Sequence, residues 1–367
     1  MYTLVMLLAL GSNGSGQLGL GHQDDVSAPS RCILPEEVAR VQPLKVATGG
    51  NHTLLLLSSG AVYSAGENSD GRNGCSIAGS TGEAAQPTPF QLTSIDNGER
   101  GFSAVSKTLR KVKLCSATWE ASTFVTDADS IYACGTGSKG ELGFGEDTRN
   151  SEKPRIIPNF PPNGTEVIDL AASMSHTVVV LSNGDVWGWG NGRKGQLGQP
   201  AVNCWSPRKI EDVPFKAVRA VCGREFTYVV GPPDQGVHTI LGSDKWNIVS
   251  AAPPAIPLWK DIGASWSSVY ILLDSGQLIS WGRNDRGQLP PVGLPKLDQI
   301  AVGSEHMLAV SQNGNVLAWG WGEHGNCGIP IDAAGDVKNR WNEMSPDGRV
   351  SAIGAGCATS FIYVDND

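Results

Sequence analysis

The apolar positions of the chain recur as short strands, and one set of strands ends in a glycine followed by four residues and a second glycine, often continuing as Gln-Leu-Gly. It is clearest in ALGSNGSGQLGLG (Ala9 to Gly21), ACGTGSKGELGFG (Ala133 to Gly145) and GWGNGRKGQLG (Gly188 to Gly198), and most degenerate in ILGSDKWN (Ile240 to Asn247). The first glycines are Gly11, Gly66, Gly135, Gly190, Gly242, Gly282 and Gly320, giving spacings of 55, 69, 55, 52, 40 and 38 residues. A second pattern precedes each copy: small residues and glycine, two variable residues, often His, then an apolar strand and an Asn-Gly or Ser-Gly turn. VATGGNHTLLLLSSG (Val46 to Gly60) and IAVGSEHMLAVSQNG (Ile300 to Gly314) are two of its seven copies.

Strand, tight turn and strand at this period predict four-stranded antiparallel units. Seven of them closing in a ring give an all-β, seven-bladed β-propeller, which removes the open edges of a linear array. The last copy of the second pattern has nothing after it and the first copy of the glycine motif has nothing before it. The N- and C-terminal strands are therefore expected to share one blade, with residues 1–367 forming a single domain. Strand parity sends each unit up to the G-x-x-H loop, down to the turn and up to the G-x4-G loop, so both motif loops belong on one face.

Composition agrees and narrows the function. The 46 Gly and 22 Pro of 367 residues exclude a helical bundle, and 40% hydrophobic against 17% charged residues allows a large core. A net charge of −8 is the wrong sign for wrapping nucleic acid or lying on a membrane surface. Eight cysteines without a C-x-x-C pair read as buried free thiols in a reducing compartment rather than a zinc site. The apolar start, Met1 to Leu10, lacks a basic leader and a cleavage site and runs straight into the repeat, so it reads as a strand. These features give a cytoplasmic, and also nuclear, protein as the expectation. No H-E-x-x-H, G-x-S-x-G or P-loop occurs, so no catalytic residue, cofactor or metal site is assigned.

The motifs G-x-N-x-x-G-Q-L-G after a strand and G-x-x-H-T before one resemble the repeats of the regulator of chromosome condensation family across essentially the whole chain. GSNGSGQLGLGHQDD (Gly11 to Asp25), GGNHT (Gly49 to Thr53) and the single-propeller length are similar, more narrowly, to the fungal alpha-tubulin suppressor or killer-toxin-insensitivity propellers. That resemblance implies a non-enzymatic partner of a small acidic CSL-type zinc- or iron-binding electron carrier, acting in diphthamide synthesis on elongation factor two and, through Elongator, in tRNA wobble-uridine modification. The wider family implies an alternative, guanine-nucleotide exchange on a small GTPase, for which Glu225, Glu305 and His306 are the matching residue types.

The candidate contacts follow from the loops. Alignment of the copies places Asn51, Trp119, Ser175, Glu225, Trp266, Glu305 and Ala358 just before the His slot, which His52, His176 and His306 fill in three units and Glu120, Phe226, Ser267 and Thr359 in the others. Trp119, Arg224, Glu225 and Trp266 then come from successive blades and read either as binding anchors or as packing across blade junctions. The G-x4-G loops add Arg72, Lys139, Arg193, Lys194, Lys245, Arg283 and Arg286, which either meet an acidic partner or are simply solvated. The partner-binding set is thus Trp119, Glu120, Arg224, Glu225, Trp266, Glu305, Arg193, Lys194, Arg283 and Arg286. The three histidines, and Trp189, Trp281 and Trp319, are expected to be structural. The inserts Asn203 to Pro207 and Lys338 to Trp341 read equally as contacts or packing.

Overall fold

The computed structural model describes residues 4–36, 38, 41–75, 91–93 and 111–366. The Gly/Ser/Thr-rich stretch after Gly74, noted for the long second spacing, lies mostly outside the described residues.

Seven antiparallel sheets form the ring. The closing blade has the order β2-β1-β26-β25, in which the N-terminal strands β1 (Leu4–Gly11) and β2 (Val26–Arg31) complete β25 (Arg349–Ala355) and β26 (Thr359–Asn366). β1 and β26 pair without a break from Leu4↔Asn366 to Gly11↔Thr359. Blade one comprises β3 (Pro43–Thr48), β4 (His52–Leu57), β5 (Val62–Gly66) and β6 (Gln91–Leu92). Blade two is β7 (Val112–Ala117), β8 (Ala121–Thr126), β9 (Ile131–Thr136) and β10 (Asn150–Ile156). Blade three is β11 (Val167–Ser173), β12 (His176–Leu181), β13 (Val186–Gly190) and β14 (Cys204–Lys209).

Blades four and five depart from the expected four strands. Blade four has β15 (Arg219–Cys222), β16 (Phe226–Val230) and β17 (His238–Gly242), and blade five β18 (Trp259–Ala264), β19 (Ser268–Leu273) and β20 (Leu278–Gly282). The two short spacings, 40 and 38 residues, span these positions. Their connectors carry Pro253, Pro254 and Pro257, then Pro290, Pro291 and Pro295, which cannot donate to a ladder. Blade six is complete, with β21 (Leu297–Val302), β22 (His306–Ser311), β23 (Val316–Trp321) and β24 (Asp336–Met344). Both inserts prove to belong to outer strands: Trp205 sits in β14 with the Arg149 guanidinium 3.7 Å from its ring, and residues 338–341 lie inside β24.

The second strand of each blade is buried on both faces, which is why HTLLLL, HTVVVL and HMLAVS read as continuous apolar runs rather than alternating ones. The core is the set of interfaces between blades, and polar groups cross them. Trp189 Nε1 donates to Glu141 O at 2.9 Å, Trp281 Nε1 to Ile248 O at 2.7 Å and Trp319 Nε1 to Gln288 O at 3.0 Å, each reaching the loop of the preceding blade. Nε2 of His52, His176 and His306 lies 2.9, 3.0 and 2.9 Å from Ser122 Oγ, Thr227 Oγ1 and Ser360 Oγ of the following blade. Thr227 and Ser360 pass the bond on to Gln196 O and Asn326 O, so their histidines donate from Nε2. Nδ1 of all three is buried without a hydrogen-bond partner among the described residues. Burial pulls the histidines down to about 3, 4 and 4, with the Arg72 charge adding to the effect at His52.

Trp319, fully buried at one of these junctions, should cost about 3–5 kcal/mol on replacement by Ala, read as a fall in the urea midpoint at unchanged slope. The histidines make stability depend on pH as well. The unfolded chain takes up protons on its histidines near pH 6.5, while the folded chain resists until about pH 4. Stability is therefore full above pH 6.5 and falls as the pH drops toward 4. His306→Phe, a residue blade four already carries as Phe226, should flatten the urea midpoint between pH 7 and 5; an unchanged slope with pH would refute the assignment.

Candidate functional site

Gly66 pairs with His52 and Gly320 with His306, so the G-x-x-H and G-x4-G loops share one face. Ala121 pairs with Gly135 and Ser268 with Gly282 in the same way. The His slot of blades two and five is thus Ala121 and Ser268, one residue later than the alignment of the copies gave. The steric reason lies three residues upstream: a Cβ at Gly49 or Gly303 would strike the ring of His52 or His306, whereas the small Ala121 and Ser268 leave room for Thr118 and Ser265. Glu120, Glu225 and Glu305 now directly precede the slot, and Trp119 and Trp266 move to the position held elsewhere by Gly50, Met174, Arg224, Ser304 and Cys357. These residues do not come from successive blades as expected: Trp119 belongs to blade two, Arg224 and Glu225 to blade four and Trp266 to blade five, with Met174 of blade three in between.

The repositioned residues ring the mouth of the central channel. Backbone N–H groups donate from Gly50 to Trp119 O (3.0 Å), Trp119 to Met174 O (2.8 Å), Arg224 to Trp266 O (3.0 Å), Trp266 to Ser304 O (3.0 Å) and Ser304 to Gly356 O (2.9 Å). Gly50 is required here because a Cβ would meet the Trp119 indole 2.7 Å away. Trp119 and Trp266 come from opposite sides of the ring and touch, with centroids 6.0 Å apart and planes at 48°. Together they cap a channel cavity of about 350 Å³ that runs back between the inner strands past Ala171 and Gly263 to Lys45, Asp169 and Arg219. The Arg224 guanidinium is exposed and stands 5.7 Å from the Trp266 ring.

The remaining charged candidates divide by their partners. Arg283 is held by Asp285 (Nε to Oδ1, 2.6 Å) and by Glu305 (Nη1 to Oε1, 2.9 Å), and Gln288 Nε2 donates to the other Glu305 oxygen at 2.7 Å. Glu305 is buried; desolvation raises its pKa against the pull of Gln288 and Arg283, while Asp285 is lowered by its bond to Arg283. Arg286 pairs with Asp336 at 3.3 Å, and Arg72 with Asp70 at 2.7 Å and Glu120 at 3.8 Å. Lys139, Arg193, Lys194, Arg224 and Lys245 are exposed and make no ion pair among the described residues, and Glu225 lies half-buried beside Arg224. Unpaired positive charge is thereby concentrated on blades two to four, with Trp119 and Trp266 next to it.

One residue outside the expected set joins this surface. Trp246 is 43% exposed, has φ 64° and lies under the Arg283 guanidinium at 5.3 Å. Asn247, with φ 58°, occupies the place of the second glycine of the motif. The degenerate ILGSDKWN was the signal: the copy that loses its glycine exposes a tryptophan.

A closed ring that gathers loops, exposed cations and aromatic groups on one face is the architecture of a protein-binding propeller. The chain belongs to the RCC1-like domain family, whose model matches residues 6–362. It is 31% identical to an RCC1 repeat-containing protein of Schizosaccharomyces pombe over 99% of both chains, and 25% identical to the secretion-regulating guanine nucleotide exchange factor of Mus musculus over 88% of this chain and 75% of that one. Among solved structures it resembles Prp20p of Saccharomyces cerevisiae, with TM-score 0.81 and 22% identity over 100% of this chain and 93% of that one, which supports the fold.

Replacing Arg283 by Ala leaves the buried Glu305 with Gln288 alone and should cost about 1–3 kcal/mol in urea unfolding. Adding Glu305→Gln should recover part of that loss, and additive effects in the double-mutant cycle would show that the pair is not coupled.

Proposed function

We propose that this chain works by binding rather than by chemistry, holding an acidic partner protein on blades two to five of its motif-loop face. The observation that carries the reading is the separation of charges: Arg72, Arg283 and Arg286 are neutralised internally, whereas Lys139, Arg193, Lys194, Arg224 and Lys245 make no ion pair among the described residues of an otherwise acidic protein. Such a field speeds encounter with a partner of opposite charge, and Trp119 and Trp266 supply the rigid aromatic area on which binding energy concentrates. The partner that fits is the small acidic CSL-type zinc- or iron-binding carrier, with the complex acting in diphthamide synthesis and, through Elongator, in tRNA wobble-uridine modification. Glu305, Arg283 and Arg286 then shape the loops from below, and Arg193, Lys194, Arg224, Glu225, Trp119, Glu120 and Trp266 face the partner.

A second reading, nucleotide exchange on a small GTPase, is favoured by two of the similar proteins: the mouse protein is called a guanine nucleotide exchange factor, and Prp20p is described by its binding properties to Gsp1p and histones. Against it, two of the three residue types that suggested exchange, Glu305 and His306, are buried and occupied by Arg283, Gln288 and Ser360, while the third, Glu225, is half-buried beside Arg224.

Titration calorimetry with a purified CSL protein should give binding that weakens steeply with salt. Trp119→Ala with Trp266→Ala should weaken it about tenfold or more while the fold is retained, and Arg193→Glu with Lys194→Glu should slow association. Release of labelled GDP from a small GTPase by the chain, with no binding of the CSL protein, would overturn this reading in favour of exchange.

A further inference from the structure

Blade four carries an exposed tryptophan in a backbone conformation that no other copy of its loop adopts. The residue before the second glycine of the G-x4-G loop is polar in the six other copies, Ser15, Asp70, Lys139, Lys194, Arg286 and His324, and none of them has positive φ. In blade four it is Trp246, at φ 64° and ψ 22°, followed by Asn247 at φ 58°. The local cause is Ile248. Gln17, Glu141, Gln196 and Gln288 stand at its place in other copies and accept the backbone N–H two residues earlier, which holds that residue in an ordinary conformation. The buried isoleucine side chain has no acceptor to offer, and the backbone turns over at Trp246.

The turned conformation is held from both sides. Asp244 Oδ1 accepts the backbone N–H of Val249 at 2.8 Å and of Ser250 at 2.9 Å, Asn247 N–H donates to Asp244 O at 3.0 Å, and Trp281 Nε1 of blade five donates to Ile248 O at 2.7 Å. A bulky side chain in the left-handed region is costly, and it persists only where its surroundings impose it. The fold gains little from the indole in return. Trp246 is 43% exposed, with Val249 on the same turn 39% exposed, and its ring contact is the Arg283 guanidinium at 5.3 Å. Arg283 is already fixed by Asp285 and Glu305 and does not need the ring for its position.

We infer that Trp246 is a preorganised anchor for the partner protein, receiving one of its apolar side chains, so that the docking surface runs from the channel mouth outward over the junction of blades four and five. The surface is continuous with the one already described. Ser243 N–H of the same loop donates to Glu225 O beside Arg224, and Arg283 N–H donates to Ser267 O beside Trp266, both at 3.0 Å. Charge does not select the occupant at this corner, because Lys245 lies next to the Asp244 carboxylate and Arg283 is answered by Asp285 and Glu305. The contribution is rigid aromatic area, the kind of surface on which binding energy concentrates. This deepens the docking proposed above and rests on it for the identity of the partner, the CSL-type carrier.

The test combines stopped-flow binding kinetics of the whole chain, with a purified CSL protein as the probe, and urea unfolding of the same variants. Trp246→Gly, which suits the left-handed backbone, should leave the urea midpoint unchanged or raise it while speeding dissociation of the complex about tenfold, with little change in the association rate. Trp246→Lys, the residue type that blades two and three carry at this position, adds a cation toward an acidic partner and should nevertheless weaken binding as Trp246→Gly does. Tighter binding by the lysine variant would overturn the inference, since docking by charge alone predicts it. A urea midpoint that falls in Trp246→Gly would overturn it too, by making the indole a structural cap on Arg283. Affinity lost in Trp119→Ala with Trp266→Ala but kept in Trp246→Gly removes the anchor and leaves the docking in place. Absence of binding by the unaltered chain removes the docking itself, and the anchor with it.

Discussion

Every blade of this protein depends on its neighbour, because a twisted sheet with two apolar faces has nowhere to bury them except against the next sheet. The junction is made specific by hydrogen bonds that cross it. A buried histidine reaches the hydroxyl of the following blade, and the hydroxyls of Thr227 and Ser360 bond the carbonyl of their own junction's loop. Tryptophan N–H groups do the same one layer out. Each of these groups would be costly to bury alone, so the ring is satisfied only when the blades stand in register. Zipping β1 onto β26 along its full length then fixes the last junction without any added element.

That scaffold explains why the motif residues are largely unavailable for function. The conspicuous glycines, histidines and Gln side chains of the repeat hold loops and junctions: Gln196 and Gln288, for instance, accept the backbone N–H of Lys194 and Arg286. The loop positions that take no part in this bonding are the ones that vary among copies. Trp119, Trp266 and Arg224 stand where other blades have Gly50, Ser304 and Cys357, and Trp246 stands in the loop that lost its glycine. Asymmetry on a symmetric frame is thus concentrated in blades two to five, and the outer strands run out in two of these, blades four and five.

The fold was legible because its signals are local and repeated. Seven glycines in the left-handed region, from Gly11 to Gly320, and seven buried strands leave the same mark wherever they occur. The absence of two outer strands was not legible: all seven units were expected to have four strands, since a period of about 40 residues suffices for a four-stranded blade, yet blades four and five have three. The slip at Trp119 and Trp266 came from the loss of the marker itself: with Ala121 and Ser268 in place of histidine, only pairing to Gly135 and Gly282 reveals the register.

The sequence by itself determined the seven-bladed ring, its terminal clasp and the common face of the motif loops, because strand, turn and strand parity are properties of neighbouring residues. The tertiary structure decided which of the charged loop residues are free. Arg283 and Glu305 lie 22 positions apart, and Arg286 and Asp336 50 apart, on different blades in each case, so no local pattern could show that they neutralise one another. Only closure of the ring brings Trp119 against Trp266, since that contact depends on distances across the molecule rather than along the chain.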